Sequence, residues 1–223
     1  MRVVATMVTQ SHRLEQSVIA ANSLRGQVDL VKIHQQDMVG AWHDTRGYKG
    51  DVELSASRLN FGAEVRYDIP EIQEPKGHDM LILGVDDDII YPPDYVETML
   101  AQDWTRTSVY GVHASILRGE RWQDREVIHF TKASHRRAVD VLGGGTVAIR
   151  MPAFGAWSYP DDVAMNIDDV VLGLECKRRG VKPWCVDRPA GWLQPIETTG
   201  PTIHDSQAVD GYAARNEFLK GWK

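Results

Sequence analysis

Apolar positions along this chain change period several times, and the changes mark out its elements. RVVATMV, from residue 2, is a nearly unbroken apolar run and predicts a strand entering a core, with TQSH as the turn after it. RLEQSVIAANSLRG then places Leu14, Val18, Ala21 and Leu24 on one helical face and stops at Gly26. VDLVKIHQQ predicts a second strand. Strand, helix, strand is the unit of a parallel sheet, whose ligand edge lies at the carboxyl ends of the strands. Residues 40 to 78 carry a weaker pattern, with a short helix expected around ELSASRLNFGAE. HDMLILGV predicts a central parallel strand, because both its faces are apolar. YPPDYVETML follows with prolines at a helix entry and Val96, Met99 and Leu100 on one face. TSVYGVHAS and GGGTVAIR predict further strands, DDVVLGLECKRRG a helix closed by Gly180, and VKPWCV one more short strand.

With 223 residues, no internal repeat and no linker composition, the chain is expected to form a single domain over 1–223. The net charge of -6 argues against a protein that grips phosphate backbones, so nucleic acid is not an expected partner. The basic clusters at His135 to Arg137 and Lys177 to Arg179 read as solvated surface. Cys176 and Cys185 match neither a zinc ribbon nor a redox motif, which suits a reducing, cytoplasmic setting. The first apolar run is too short for a signal peptide, and no run has membrane-spanning length. Any work at a membrane would be peripheral.

Chemistry concentrates where the central strand ends, at Asp86, Asp87 and Asp88. Carboxylates packed this closely repel one another, and a cation between them relieves that repulsion. Asp86 and Asp88 can point to one side of a turn, and two hard oxygen donors suit Mg2+ or Mn2+ shared with nucleotide phosphates. The competing reading is structural, since acids also collect at turns and helix starts. A calcium loop nearly aligns, with Asp86, Asp88, Asp94 and Glu97 at positions one, three, nine and twelve. It fails where Tyr91 replaces the required glycine and Ile90 supplies no oxygen. A nucleotidyltransferase is a second rival, lowered by the absence of glycine from the turn TMVTQSHR.

The segment VDDDIIYPPDYVETML closely resembles the DxD segment of bacterial and viral glycosyltransferases of the GT-A fold, the surface-glycan type. ATMVTQSHRLEQSVIAANSLRGQ is similar to that family's first strand and helix, YGVHAS to a strand segment ending in histidine, LGGGTVAIR to its glycine-rich strand, and NIDDVVLGLECKRRGVKP to its acidic helix start. The resemblance spans roughly residues 2 to 190. It implies an α/β/α sandwich with a mostly parallel sheet, a nucleotide-sugar-binding half over 1–110 and an acceptor-binding half over 111–223, with a short antiparallel lobe. It further implies metal-dependent, inverting transfer of a sugar from a nucleoside diphosphate sugar, UDP by family habit, to a hydroxyl of a glycan or other acceptor.

By the same resemblance Asp86 and Asp88 hold the metal, with His204 as a late ligand or, equally, a surface residue. Asp87 contacts the ribose or supports the ligands. Thr6, Thr9, Arg13, Asp37, Asp51 and Arg58 line the nucleotide pocket, and His113, Gly144 and Gly145 lie against the sugar or acceptor. Asp169 is expected as the base and Asp168 as cap or acceptor ligand, although both also suit the first turn of a helix for stability alone. Trp157 is expected to be exposed and to stack on an acceptor sugar. The alternatives kept open are a sugar nucleotidyltransferase and a metal-dependent glycan-binding module without turnover.

Overall fold

The computed structural model describes residues 1–38, 47–160, 166–198, 209 and 211–222. In chain order the first half carries β1 (Arg2–Gln10), α1 (Leu14–Ser23), β2 (Leu30–Gln36), β3 (Val52–Ala56), α2 (Pro70–Gln73), β4 (Met80–Asp86), β5 (Ile89–Ile90) and α3 (Tyr95–Leu100). The second carries β6 (Val109–Gly111), β7 (Ala114–Ile116), β8 (Glu126–Ile128), β9 (Arg137–Ala138), β10 (Val141–Leu142), β11 (Thr146–Met151), α4 (Asp168–Arg178), β12 (Trp184–Cys185), β13 (Gln194–Pro195) and α5 (Ala213–Leu219).

An eight-stranded sheet ordered β3-β2-β1-β4-β11-β6-β12-β9 forms the middle layer. Six strands run one way and only β11 and β9 run against them. The mostly parallel α/β sheet expected from the pattern is therefore the fold. The chain leaves β1 toward β2 and β3, then returns to place β4 on the other side of β1. Connections diverge there, and in open α/β sheets the carboxyl ends of the strands at such a point are the favoured ligand position.

Strand alternation divides the core between the two faces of the sheet. Val3, Ala5 and Met7 of β1 with Leu81, Leu83 and Val85 of β4 face one side, under Ala20, Ala21 and Leu24 of the α1 segment and Val96 and Met99 of α3. Val4, Met80 and Ile82 face the other, under Tyr67, Ile72 and the Val171, Leu172 and Cys176 face of α4. A separate antiparallel sheet, β10-β7-β8, lies beside the main one. Among the described residues no helix is long and apolar enough to cross a membrane.

Four details differ from the pattern-based reading. Val52–Ala56 is a strand rather than the start of a helix, and it pairs in parallel with β2. Its alternation of half-buried Val52 and Leu54 with exposed Glu53 and Ser55 is a period of two that the polar residues around it obscured. The inward face of α1 keeps Ala21 and Leu24 as expected but also takes in Ser17 and Ala20, while Leu14 and Val18 are only half-buried. TSVYGVHAS breaks into β6 and β7, which join different sheets, with His113 at the break. The last helix, α5, follows a weakly patterned stretch and was not expected; it packs with Leu219 against Trp122, Val141 and Val170.

Candidate functional site

β1 and β4 run in register, with Val8 beside Asp86, so the end of β1 delivers Thr9 and Arg13 to the acidic turn that ends β4. The Thr9 hydroxyl donates to Asp87 Oδ2 at 2.7 Å, and Arg13 spans the next two acids, with Nη1 3.0 Å from Asp87 Oδ1 and Nη2 2.7 Å from Asp88 Oδ2. Asp87 is only 4% exposed, and burial pushes its carboxyl up to about 7, with Arg13 and Thr9 opposing. Asp87 is thus the inward member of the triplet, while the Asp86 and Asp88 side chains keep 38% and 32% of their exposure. Burial, and then the charge of Asp86, raises the Asp88 carboxyl, so these two outer carboxylates act on each other.

YPPDY holds the turn in place. Tyr91, 1% exposed, accepts a hydrogen bond from the Asp86 amide at 2.8 Å and donates its own proton to the Gly145 carbonyl at 2.7 Å. The motif therefore ties β4 to the glycine-rich approach to β11. Asp94 accepts from the Trp192 indole at 2.9 Å, and β5 pairs with β13, which anchors the far side.

Arg66, on a short 3-10 turn over Ala63–Tyr67, stands at the middle of the site and was not among the expected residues. It is 6% exposed, and its Nη2 lies 3.0 Å from Asp86 Oδ1 while Nε lies 3.4 Å from Asp168 Oδ2. Burial disfavours the charged guanidinium, but Asp86 and Asp168 outweigh it and raise its pKa. Its Nε proton is given to the Ala63 carbonyl at 3.0 Å, so Asp168 Oδ2 makes a charge contact but no hydrogen bond. Burial pushes Asp168 up to about 6, opposed by Arg66. Buried Gln36 fixes the approach to this turn, donating to the Gly62 carbonyl at 2.8 Å and accepting from its amide at 3.2 Å. Sequence gave no spacing signal for Arg66; the one hint was an arginine between Val65 and Tyr67.

Gly144 and Gly145 are required by the carboxylates themselves. A Cβ at Gly145 would fall 1.8 Å from Asp86 Cγ, and one at Gly144 would fall 2.2 Å from Asp168 Oδ2. The glycines let the β11 approach pass beneath both acids, which gathers Asp86, Asp168, Arg66 and the glycine pair at one place. Asp169, the next residue of α4, accepts on Oδ1 from the Val170 amide at 2.9 Å and from Arg215 Nη1 at 2.6 Å. His113 packs against Gly143 and edge-on to the His129 ring at 5.3 Å; burial and then His129 lower its pKa to about 4, while Asp169 and Asp86 pull the other way.

The remaining expected residues divide. Thr6 is buried, its hydroxyl 3.5 Å from the Leu83 carbonyl, and lines a cavity of about 280 Å³ with His34, Ser55, Arg66 and Asp68. Asp37 and Arg58 follow the carboxyl ends of β2 and β3, on the edge that carries the acidic turn. Asp51 immediately precedes β3 and so sits at the opposite edge, a strand length away from the acids. Trp157 is 6% exposed, with its ring 5.1 Å from Tyr67 and 6.2 Å from Phe154. Its expected exposure is corrected: a loop position does not exclude a core side chain, and Ile72 accepts the Trp157 amide at 3.1 Å. His204 lies outside the described residues.

For a divalent metal, the described residues offer no group of three His, Cys, Asp or Glu gathered around one point. Asp86 and Asp88 alone fit the type of Mg2+ or Mn2+ site in which one or two carboxylates hold the ion and substrate phosphates fill most of the rest of its shell.

The arrangement is similar in fold to proteins of two activities. The inositol-1-phosphate CTP transferase from T. maritima superposes with a TM-score of 0.52 at 10% identity, over 98% of this chain and 95% of that one. The glycosyltransferase GlyE of Streptococcus pneumoniae TIGR4 superposes with a TM-score of 0.50 at 11% identity, over 100% of this chain and 63% of that one. The class defined is thus an α/β fold found in both a nucleotidyltransferase and a glycosyltransferase. No protein-family model and no curated protein matches the chain.

Proposed function

We propose that this protein is a metal-dependent glycosyltransferase, moving a sugar from a nucleoside diphosphate sugar, with uridine the favoured nucleoside, to a hydroxyl of a glycan or other acceptor. The observation that carries the reading is the acidic turn at the carboxyl ends of β1 and β4, where Asp86 and Asp88 stay partly exposed, paired to Arg66 and Arg13, while Asp87 is buried against Thr9 and Arg13. Asp86 and Asp88 would hold Mg2+ or Mn2+, which would supply positive charge to offset that on the departing diphosphate. Arg13 and Arg66 supply fixed positive charge beside that position, preorganised by their ion pairs. Thr6, Thr9, Asp37 and Arg58 lie on the β1, β2 and β3 side, where the nucleoside is assigned. Asp169 takes the proton from the acceptor hydroxyl as the new C–O bond forms and the sugar–phosphate bond breaks, its electron pair leaving with the nucleoside diphosphate. Direct displacement of this kind inverts the anomeric centre.

A second reading, a sugar nucleotidyltransferase, is favoured by the likeness to the CTP transferase fold and equally suits an acidic metal turn. Against it stands the turn from Gln10 to Arg13, which carries no glycine to wrap a triphosphate. A glycan-binding module would show no turnover at all. Phosphorus NMR of reaction mixtures containing a panel of nucleotide sugars, or nucleoside triphosphate with sugar phosphate, separates the readings. Release of nucleoside diphosphate is expected; release of pyrophosphate would move the chain to the second reading.

A further inference from the structure

The C-terminal helix reaches the acid pair through one side chain. Arg215 of α5 is 8% exposed, and besides its 2.6 Å contact with Asp169 Oδ1 it donates from Nη2 to the Asn166 carbonyl at 3.2 Å. Its guanidinium lies 4.6 Å from the centre of the buried Trp122 ring. The neighbouring residue anchors the helix separately: the Asn216 side chain accepts from the Trp122 amide at 2.6 Å and donates to the Gln123 side chain at 3.2 Å. Asn216 thus ties α5 to the Trp122 turn independently of Arg215, whose hydrogen bonds go to the start of α4 and the residue before it. Both contacts recorded for the Asp169 carboxylate fall on Oδ1; among the described residues none reaches Oδ2.

We propose that Arg215 is a positioning residue for Asp169, holding Oδ1 so that Oδ2 is the atom presented to the acceptor proton. The inference rests on the glycosyl-transfer reading. A carboxylate fixed at one oxygen by an arginine and its own helix amide has one orientation, and a base loses much of its advantage when its orientation is free. The strut also makes the last helix part of the acceptor side of the site, although α5 contributes no group to the acidic turn.

The test is a double-substitution cycle on donor hydrolysis, with water as acceptor. The donor is the member of a UDP-, GDP- and TDP-hexose panel that the unaltered protein turns over fastest with Mn2+. Arg215→Gln and Asp169→Asn are each expected to lower kcat by about 100-fold, with donor KM changed less than twofold and Arg215→Lys recovering at least tenfold of the loss. The double variant is expected to be no slower than Asp169→Asn alone, because Arg215 acts through Asp169. Multiplying losses in the double variant, or a raised donor KM at unchanged kcat, would overturn the proposal. Hydrogen exchange reads the strut without turnover: the first turn of α4, where the Val170 amide is shared between Asp169 Oδ1 at 2.9 Å and the Ile167 carbonyl at 3.0 Å, is expected to exchange faster in Arg215→Gln, and unchanged protection of the whole turn would overturn the strut. A protein inert to every donor, yet with that turn deprotected in the variant, would instead sink the glycosyl-transfer reading and leave the strut established as structure.

Discussion

Each member of the aspartate triplet has its own surroundings. Asp87 is turned into the protein by Thr9 and Arg13, Asp86 is shared between Arg66 and the glycine turn, and Asp88 faces Arg13. The triplet was legible in the sequence because three acids after an apolar run are contiguous. Arg66 and Arg215 were not, because they meet their acids across 20 and 46 residues, and ion pairs at such separations leave no periodic trace. Gly145 offers a direct check on the geometry. Gly145→Ala would place a methyl group on Asp86, so the carboxylate or the turn must move, at a cost of about 1–3 kcal/mol by analogy with overpacked cores. Thermal melting is expected to show that loss, together with weakened Mn2+ binding by calorimetry; wild-type values for both would refute the close approach. His113 gives a pH signature. Its folded pKa of about 4 lies below the ordinary value of 6.5, so the unfolded chain binds its proton first as pH falls. Stability from this group is complete above 6.5 and is lost between 6.5 and 4, so His113→Gln is expected to flatten the fall in melting temperature over that window.

At the level of elements, β3 and α5, which were missed, are short. β1, β4 and α4 carry enough apolar residues for their period to be unambiguous, whereas β3 is five residues long and α5 seven. YPPDY was recognised by resemblance, but its physical role came only with the tertiary contacts, since the Tyr91 hydroxyl bridges two segments 54 residues apart. Trp157 shows the same limit from the other side. Its loop gave no sign of burial, yet it closes the Tyr67 and Phe154 cluster under the turn that carries Arg66. Trp157→Ala is expected to destabilise the protein by about 3–5 kcal/mol in denaturant melts. A change below 1 kcal/mol would return Trp157 to the surface role first expected of it.

For the whole molecule, a sheet with β1 between β2 and β4 has its connections diverge there, the favoured ligand position in open α/β sheets, and the acids, Arg13, Arg66 and the glycine turn all converge on that edge. Fold class was therefore the most legible property, and the gathering of the candidate site the least, because it depends on side chains brought together from widely separated stretches of chain. The central claim is that Asp86 and Asp88 hold a divalent ion against a nucleoside diphosphate. It is tested most directly by nucleoside diphosphate release from a panel of nucleotide sugars with and without Mn2+, for the unaltered protein and for Asp88→Asn. Slow, Mn2+-dependent hydrolysis of one donor is expected, reduced by about 100-fold or more in the variant. Turnover that ignores the metal, or a variant as active as the parent, would contradict it.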